Sequence, residues 1–242
     1  MPGFRRFVIV RLGAVAVFLA SLGTVPLAAQ QLDSPSVIQR IDATVWDRYE
    51  RVAGFSDREH YVVYRGKDET HPAAEMTVET TYRKGVGKSY TILSASGSAV
   101  IRKFGLVPLL DNEKQINQPA NVQQSWITSA NYEMKLKPGG VQRLDGRDCL
   151  ALAITPRRKA TNMIQGTLWV DAKDYGIAKI DGVATKNPSI WSGAAHMMRQ
   201  YANVSGFAMA THARAESNSF LFGRTVVTID YSDYKIQSVP AK

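Results

Sequence analysis

The chain of 242 residues has a single cysteine, Cys149. No intrachain disulfide can form, so stability has to come from a packed core. Cys149 lies inside the strand-like run Cys-Leu-Ala-Leu-Ala-Ile, which suits a buried small hydrophobe better than a reactive thiol. There are four histidines, and none is spaced from another histidine or from acids as metal ligands would be. His196 and His212 fall in neighbouring expected strands and are the one pair that could approach. No Gly-x-Ser-x-Gly elbow is present, which removes the common hydrolase signature. Gly85-Val86-Gly87-Lys88-Ser89 has the ending of a phosphate loop. The first glycine such a loop needs is replaced by Tyr82, and the segment reads as a hairpin, so nucleotide binding is excluded. The chain carries no repeat, no low-complexity linker and no acidic or basic block long enough for nucleic acid. No catalytic, metal or cofactor site is expected.

The first thirty residues supply what the remainder lacks. Arg5, Arg6 and Arg11 precede an almost wholly apolar run over residues 12–27, and Leu27-Ala28-Ala29 offers small residues for cleavage. This order describes an export signal, with cleavage expected near Ala29 or Gln30. Retention as an N-terminal anchor is the alternative, because the run is near the lower length limit for a spanning helix. No cysteine follows the cleavage site, so lipid acylation there is excluded. The expectation is an exported, periplasmic protein with a signal peptide over 1–30 and one domain over 31–242. Taking the three leader arginines from the formal charge of +9 leaves +6 for the mature part. That excess suits peripheral contact with anionic lipid, or simply solubility.

Two helical regions are expected. Asp33-Ser34-Pro35 is a capping residue before a first-turn proline. Val37, Ile38, Ile41, Val45, Tyr49 and Val52 then recur at helical spacing over 35–53, and Gly54 supplies a stop. A second region, 98–128, carries Val100, Ile101, Phe104, Val107 and Leu110. Pro108 and Pro119 are expected to divide it into short pieces. Elsewhere, alternating runs and turn residues predict nine to eleven strands. They include a hairpin of 75–83 and 88–94 around Gly85-Val86-Gly87, and a strand over 131–137 turned by Pro138-Gly139-Gly140. Short connections without intervening helices argue for an antiparallel meander, which twists and curls.

The middle of the chain resembles a known family. Asn131-Tyr132-Glu133-Met134-Lys135-Leu136 leads to Leu144-Asp145-Gly146-Arg147, then to Cys149-Leu150-Ala151-Leu152-Ala153-Ile154-Thr155-Pro156-Arg157-Arg158-Lys159. Gly166-Thr167-Leu168-Trp169-Val170-Asp171 follows, then Tyr175-Gly176-Ile177-Ala178-Lys179-Ile180-Asp181-Gly182. This is similar to the LolA/LolB-like, outer-membrane lipoprotein-sorting proteins. The resemblance implies an α+β, mostly β fold: an unclosed, curved antiparallel half-barrel with helices covering its concave face. It also implies a non-enzymatic carrier or chaperone for a lipid or lipoprotein acyl chain. The alternative is an RseB-like protein-binding or sensor module of an envelope complex. No family residue role is carried over.

The residues themselves nominate three places. Met134, Leu136, Leu168, Val170, Met197 and Met209 sit in strands and could line an apolar cleft, or could equally be core. Leu106, Leu109 and Leu110 could form a helical lid. Arg157, Arg158 and Lys159 form the densest basic cluster and could meet an anionic head group, or could simply be a solvated turn.

Overall fold

A computed structural model describes residues 33–160, 162–186, 195–219 and 223–240. The expected leader lies outside them. Helix α1 (Ser34–Arg51) opens the described part, with Asp33 as its first flanking residue and Pro35 in its first turn. Val37 and Ile41 are its fully buried residues, one turn apart on the same face. Burial of each is worth roughly 1.5–3 kcal/mol. The helix does not run on to Gly54. Val52 is already extended, and strand β1 (Val52–Arg65) starts there. Pairing of β1 on both sides overrides the helical periodicity of the sequence. Gly54 has a different use, because a Cβ there would come within 2.8 Å of the Tyr82 carbonyl oxygen.

Strands β2 (Ala74–Arg83) and β3 (Gly87–Gly97) form the expected hairpin. Gly85 and Gly87 both take positive φ in its turn. The second helical region then departs from expectation. Helix α2 (Ala99–Ile101), a π-helical turn over Arg102–Leu106 and helix α3 (Val107–Ile116) follow without a gap. Pro108 therefore does not break the region. It sits in the first turn of α3, directly after the π turn, which closes with the Val107 N–H donating to Arg102 O. A 3-10 turn over Val122–Ser125 completes the segment.

Seven more strands follow as a meander: β4 (Tyr132–Leu144), β5 (Arg147–Pro156), β6 (Ile164–Asp171), β7 (Ile177–Ala184), β8 (Ala195–Val204), β9 (Phe207–Ser219) and β10 (Gly223–Ser238). Pro138-Gly139-Gly140 is not a turn. It is a bulge inside β4, where Leu136 faces Leu152 and Val141 already faces Leu150. Gly139 and Gly140 absorb the extra residues at positive φ. The hairpin turn falls instead at Asp145-Gly146, both also at positive φ, as a type I′ turn requires.

All ten strands form one antiparallel sheet, in the order β3-β2-β1-β10-β9-β8-β7-β6-β5-β4. The sheet is unclosed, with β3 and β4 as its edges. One ion cluster shows how far it curls. Glu113 of α3 lies 2.5 Å from Lys88 on β3 and 3.7 Å from Arg199 on β8. Those strands are five places apart, roughly 24 Å in a flat sheet. Side chains stand nearly upright from a sheet, so both can meet one carboxylate only across a concave face.

The helices cover that face in two places. Val37 and Ile41 of α1 pack on Tyr132, Met134, Leu150, Leu152, Leu168 and Val170. Leu106 and Leu110 pack on Tyr61, Val63, Met76, Val78 and Ile229. A smaller cluster joins Val52, Phe207 and Met209 between them.

Two glycines hold β6 and β7 at unusually close approach. Gly166 and Gly182 face each other, and a Cβ on either would lie 2.1 or 2.2 Å from a carbonyl oxygen of the opposite strand. Gly182→Ala should cost at least about 2 kcal/mol through forced separation of these strands. Gly105→Ala, whose Cβ would meet Ile101 Cγ2 at an ordinary contact distance of 3.8 Å, should gain about 0.5–1 kcal/mol as a helical glycine replaced by alanine. Urea denaturation of the two variants checks both signs.

Candidate functional site

The inner face of β1 carries Asp57, Glu59 and Tyr61 at strand spacing, and all three are buried. Glu59 is 1% exposed, a position a carboxylate occupies only with partners. Lys88 supplies one, donating to Glu59 Oε1 at 2.7 Å and to Glu113 Oε2 at 2.5 Å. The Tyr61 hydroxyl donates to the other Glu59 oxygen. Arg199 approaches the second Glu113 oxygen at 3.7 Å. Burial opposes the Glu113 charge, but Lys88 and Arg199 outweigh it and hold the carboxyl below its ordinary range. Burial likewise opposes the Lys88 charge, and Glu113 and Glu59 raise its pKa in spite of it. The lysine of the failed phosphate-loop motif is thus the hub of a buried ion network. The sequence signal that could have found it is its inward register in β3, opposite Tyr82.

Asp57 is left outside this network. Neither of its oxygens meets a hydrogen-bond donor, and the nearby Tyr234 hydroxyl donates instead to Ala210 O at 2.8 Å. Burial, then the Glu59 charge, push the Asp57 carboxyl up to about 7 against the pull of Lys88. Thr80, directly across the β1–β2 pair, is also buried with an unpartnered hydroxyl.

A half-open cleft of about 500 Å³ lies apart from this network, none of whose residues lines it. It is bounded by the C-terminal half of α1, the segment 117–127 and the inner face of the sheet. Val122, Trp126, Ile127, Ile177 and Phe207 give it apolar walls, and Arg48, Arg147 and Tyr201 give it polar ones. Trp126 is fixed by ring contacts of 4.8 Å to both Trp46 and Tyr49 of α1. Arg147 donates to the Tyr201 carbonyl oxygen at 2.6 Å. Arg48 donates to the Met209 sulfur at 3.6 Å, and its Nε is buried without an acceptor. Burial lowers the Arg48 pKa, partly offset by the Tyr201, Tyr234 and Tyr82 hydroxyls.

The nominated residues fall in different places. Met134, Leu168 and Val170 are buried beneath α1, with Leu136 packed at the margin of that cluster. Met209 is buried beside Arg48, and Met197 is partly buried on the inner face of β8. None of the six lines the cleft. Leu106 and Leu110 are buried against the β1–β2 half of the sheet, and Leu109 packs at their edge. Arg157 donates to Ser129 O at 3.0 Å, and Arg158 to Gln124 O at 2.5 Å, while Lys159 is exposed. The basic loop thereby ties β5 to the segment that bounds the cleft. Cys149 is fully buried, and burial pushes its thiol pKa up. His196 and His212 do not meet. They lie four register positions apart on β8 and β9 and pair separately, with Asp181 at 2.9 Å and Asp230 at 2.7 Å. Among the described residues no three of His, Cys, Asp and Glu are grouped as a metal would need.

Neither a family model nor a curated protein matches the sequence. Solved structures do. The chain is similar to a LolA superfamily protein from Nitrosomonas europaea, with 15% identity, 86% of this chain and 96% of that one covered, and a TM-score of 0.46. It is similar to a DUF1329 family protein from Desulfovibrio piger at 14% identity, with 86% and 94% covered and a TM-score of 0.43. It is also similar to a domain named for outer membrane lipoprotein sorting from Vibrio parahaemolyticus, at 13% identity, with 84% and 93% covered and a TM-score of 0.47. At these values the likeness carries no ligand and no residue's role to this chain.

The raised Asp57 pKa has a measurable consequence. Between about pH 4 and about pH 7 the folded chain holds a proton that the unfolded chain has released. Stability therefore falls as pH rises through that window and levels above it. Asp57→Asn removes this loss, while the Glu113 contribution is common to both proteins. In denaturation midpoints the variant should exceed the native chain at pH 8, on the order of a few kcal/mol, and lose that advantage below about pH 4.

Proposed function

We propose that this chain is a non-enzymatic carrier or chaperone that works in the periplasm and shields one acyl chain of a lipid or lipoprotein. The observation that carries the reading is the half-open cleft of about 500 Å³ between an unclosed sheet and the helices laid on its inner face. An enclosed space of about 150 Å³ accommodates benzene, so this volume suits roughly 20 heavy atoms. That matches one long acyl chain and falls short of two or three. Each buried methylene contributes about 0.8 kcal/mol. Ten of them would bring some 8 kcal/mol, enough for micromolar retention before the costs of ordering. Such binding holds a chain and still releases it.

Trp126, Phe207, Ile127 and Val122 supply the apolar contact. The apolar strand residues Met134, Leu168 and Val170 would join the cavity only if α1 lifted from them. That would enlarge the space for a second chain at the expense of the largest core cluster. Delivery by export follows from the leader read in the sequence.

Ala43 is exposed on α1 and lines the cleft. Ala43→Trp should therefore fill it without touching the core. Uptake of a fluorescent C16 fatty acid by the detergent-free protein should fall at least about tenfold, a loss of about 1.4 kcal/mol, with an unchanged melting temperature. Undiminished uptake by the folded variant would contradict this assignment of the site.

A further inference from the structure

The two cations on the cleft wall, Arg48 and Arg147, form no ion pair among the described residues, and that says what kind of head the bound chain carries. The other cations near the inner face and at the sheet's β9–β10 end are matched by carboxylates. Lys88 and Arg199 meet Glu59 and Glu113, and Arg214 and Arg224 share Glu69 and Glu216. At the cleft, Arg51 takes Asp47 at 3.1 Å. Arg48 and Arg147, both on the wall, meet no carboxylate among the described residues. Arg147 gives one N–H to a carbonyl oxygen, and Arg48 gives one to a thioether, a weak acceptor. A guanidinium has five N–H donors, and the Arg48 Nε is buried without an acceptor. Asp174 is the opposing charge on the wall, and it accepts the Gly176 N–H at 2.8 Å. With Asp47 neutralised by Arg51, two cations face one carboxylate.

Both arginines line the same cleft as Tyr201, whose carbonyl oxygen holds Arg147. The apolar residues Trp126 and Ile127 lie on the same wall. An anionic oxygen group would accept the unused N–H donors, with two short charge-assisted bonds to one guanidinium as the favoured geometry.

We propose, on the acyl-cleft reading above, that the cleft selects a single-chain amphiphile with an anionic head, whose carboxylate or phosphate is held by Arg48 and Arg147. The arginines recognise charge and oxygen geometry, and the apolar wall recognises the chain. Carboxylate and phosphate share that chemistry and differ in source, a free fatty acid in one case and a phosphorylated lipid in the other.

Titration of the delipidated, mature-length protein with palmitate, hexadecyl phosphate and hexadecanol tests this, read by tryptophan emission, since Trp126 borders the site. The two anions should bind at least about tenfold more tightly than the alcohol, as charge-assisted bonds at a sheltered site require. The tighter of the two identifies the head group. Arg48→Gln and Arg147→Gln should each reduce the preference for anion over alcohol. Should Arg48→Gln not fold, Arg147→Gln carries the test alone. Equal binding of all three ligands would overturn the head-group inference and leave the acyl cleft standing. An undiminished preference in folded Arg147→Gln would overturn the inference in the same way. Binding of none of the three would overturn the acyl reading and this inference with it.

Discussion

Strands β3 and β4 follow one another in the chain yet form the two outer edges of the sheet. Their connection, residues 98–131, therefore has to cross from one edge to the other. Its buried leucines place it on the concave face. Much of the architecture depends on this path. A direct β3–β4 hairpin would leave the sheet free to zip into a closed barrel with a packed interior. A crossing segment with helical structure occupies that interior and keeps the edges apart. Helix α1, which feeds straight into strand β1, covers a second part of the same face. The cleft is the space the two helical layers leave between them.

The crossing is clamped at both ends by interactions of different kinds. Near β3, Glu113 is tied to Lys88 and Arg199, with Glu59 sharing the lysine. Buried ions are expensive to desolvate, and replacing such a set by apolar residues often does not reduce stability. Its value here is geometric, since it joins α3 to strands five places apart and fixes the curl. Near β4, Trp126 meets Trp46 edge-on and Tyr49 at a tilt, and Arg157 and Arg158 hold the backbone at Ser129 and Gln124. These contacts set the two long walls of the cleft.

The amino-acid sequence made the strand count, most hairpins, the first helix and the buried Cys149 legible, because each rests on local period or turn chemistry. The misreadings have a common origin in tertiary context. Gly139 and Gly140 look like a turn, and only the pairing of Leu136 and Val141 with β5 shows a bulge. Pro108 looks like a break, and the π turn just before it has no sequence mark. Gly166 and Gly182, seen only as parts of a pattern, face each other where no Cβ fits. The cleft was the least legible feature. Apolar strand residues such as Leu168 and Val170 pack under α1, while the walls come from five separated stretches of chain. Arg48 sits on a helix face that reads as ordinary and polar, and its lack of an anionic partner exists only in three dimensions.

An open sheet with a crossing segment leaves a space of limited size, and that size sets the expected load at one chain. Native mass spectrometry of the mature protein, purified from the periplasm without detergent, measures this directly. The account predicts a species heavier than the bare chain by one single-chain lipid, lost on organic extraction and restored by incubation with lipid. A bare mass alone, unchanged after that incubation, would contradict it.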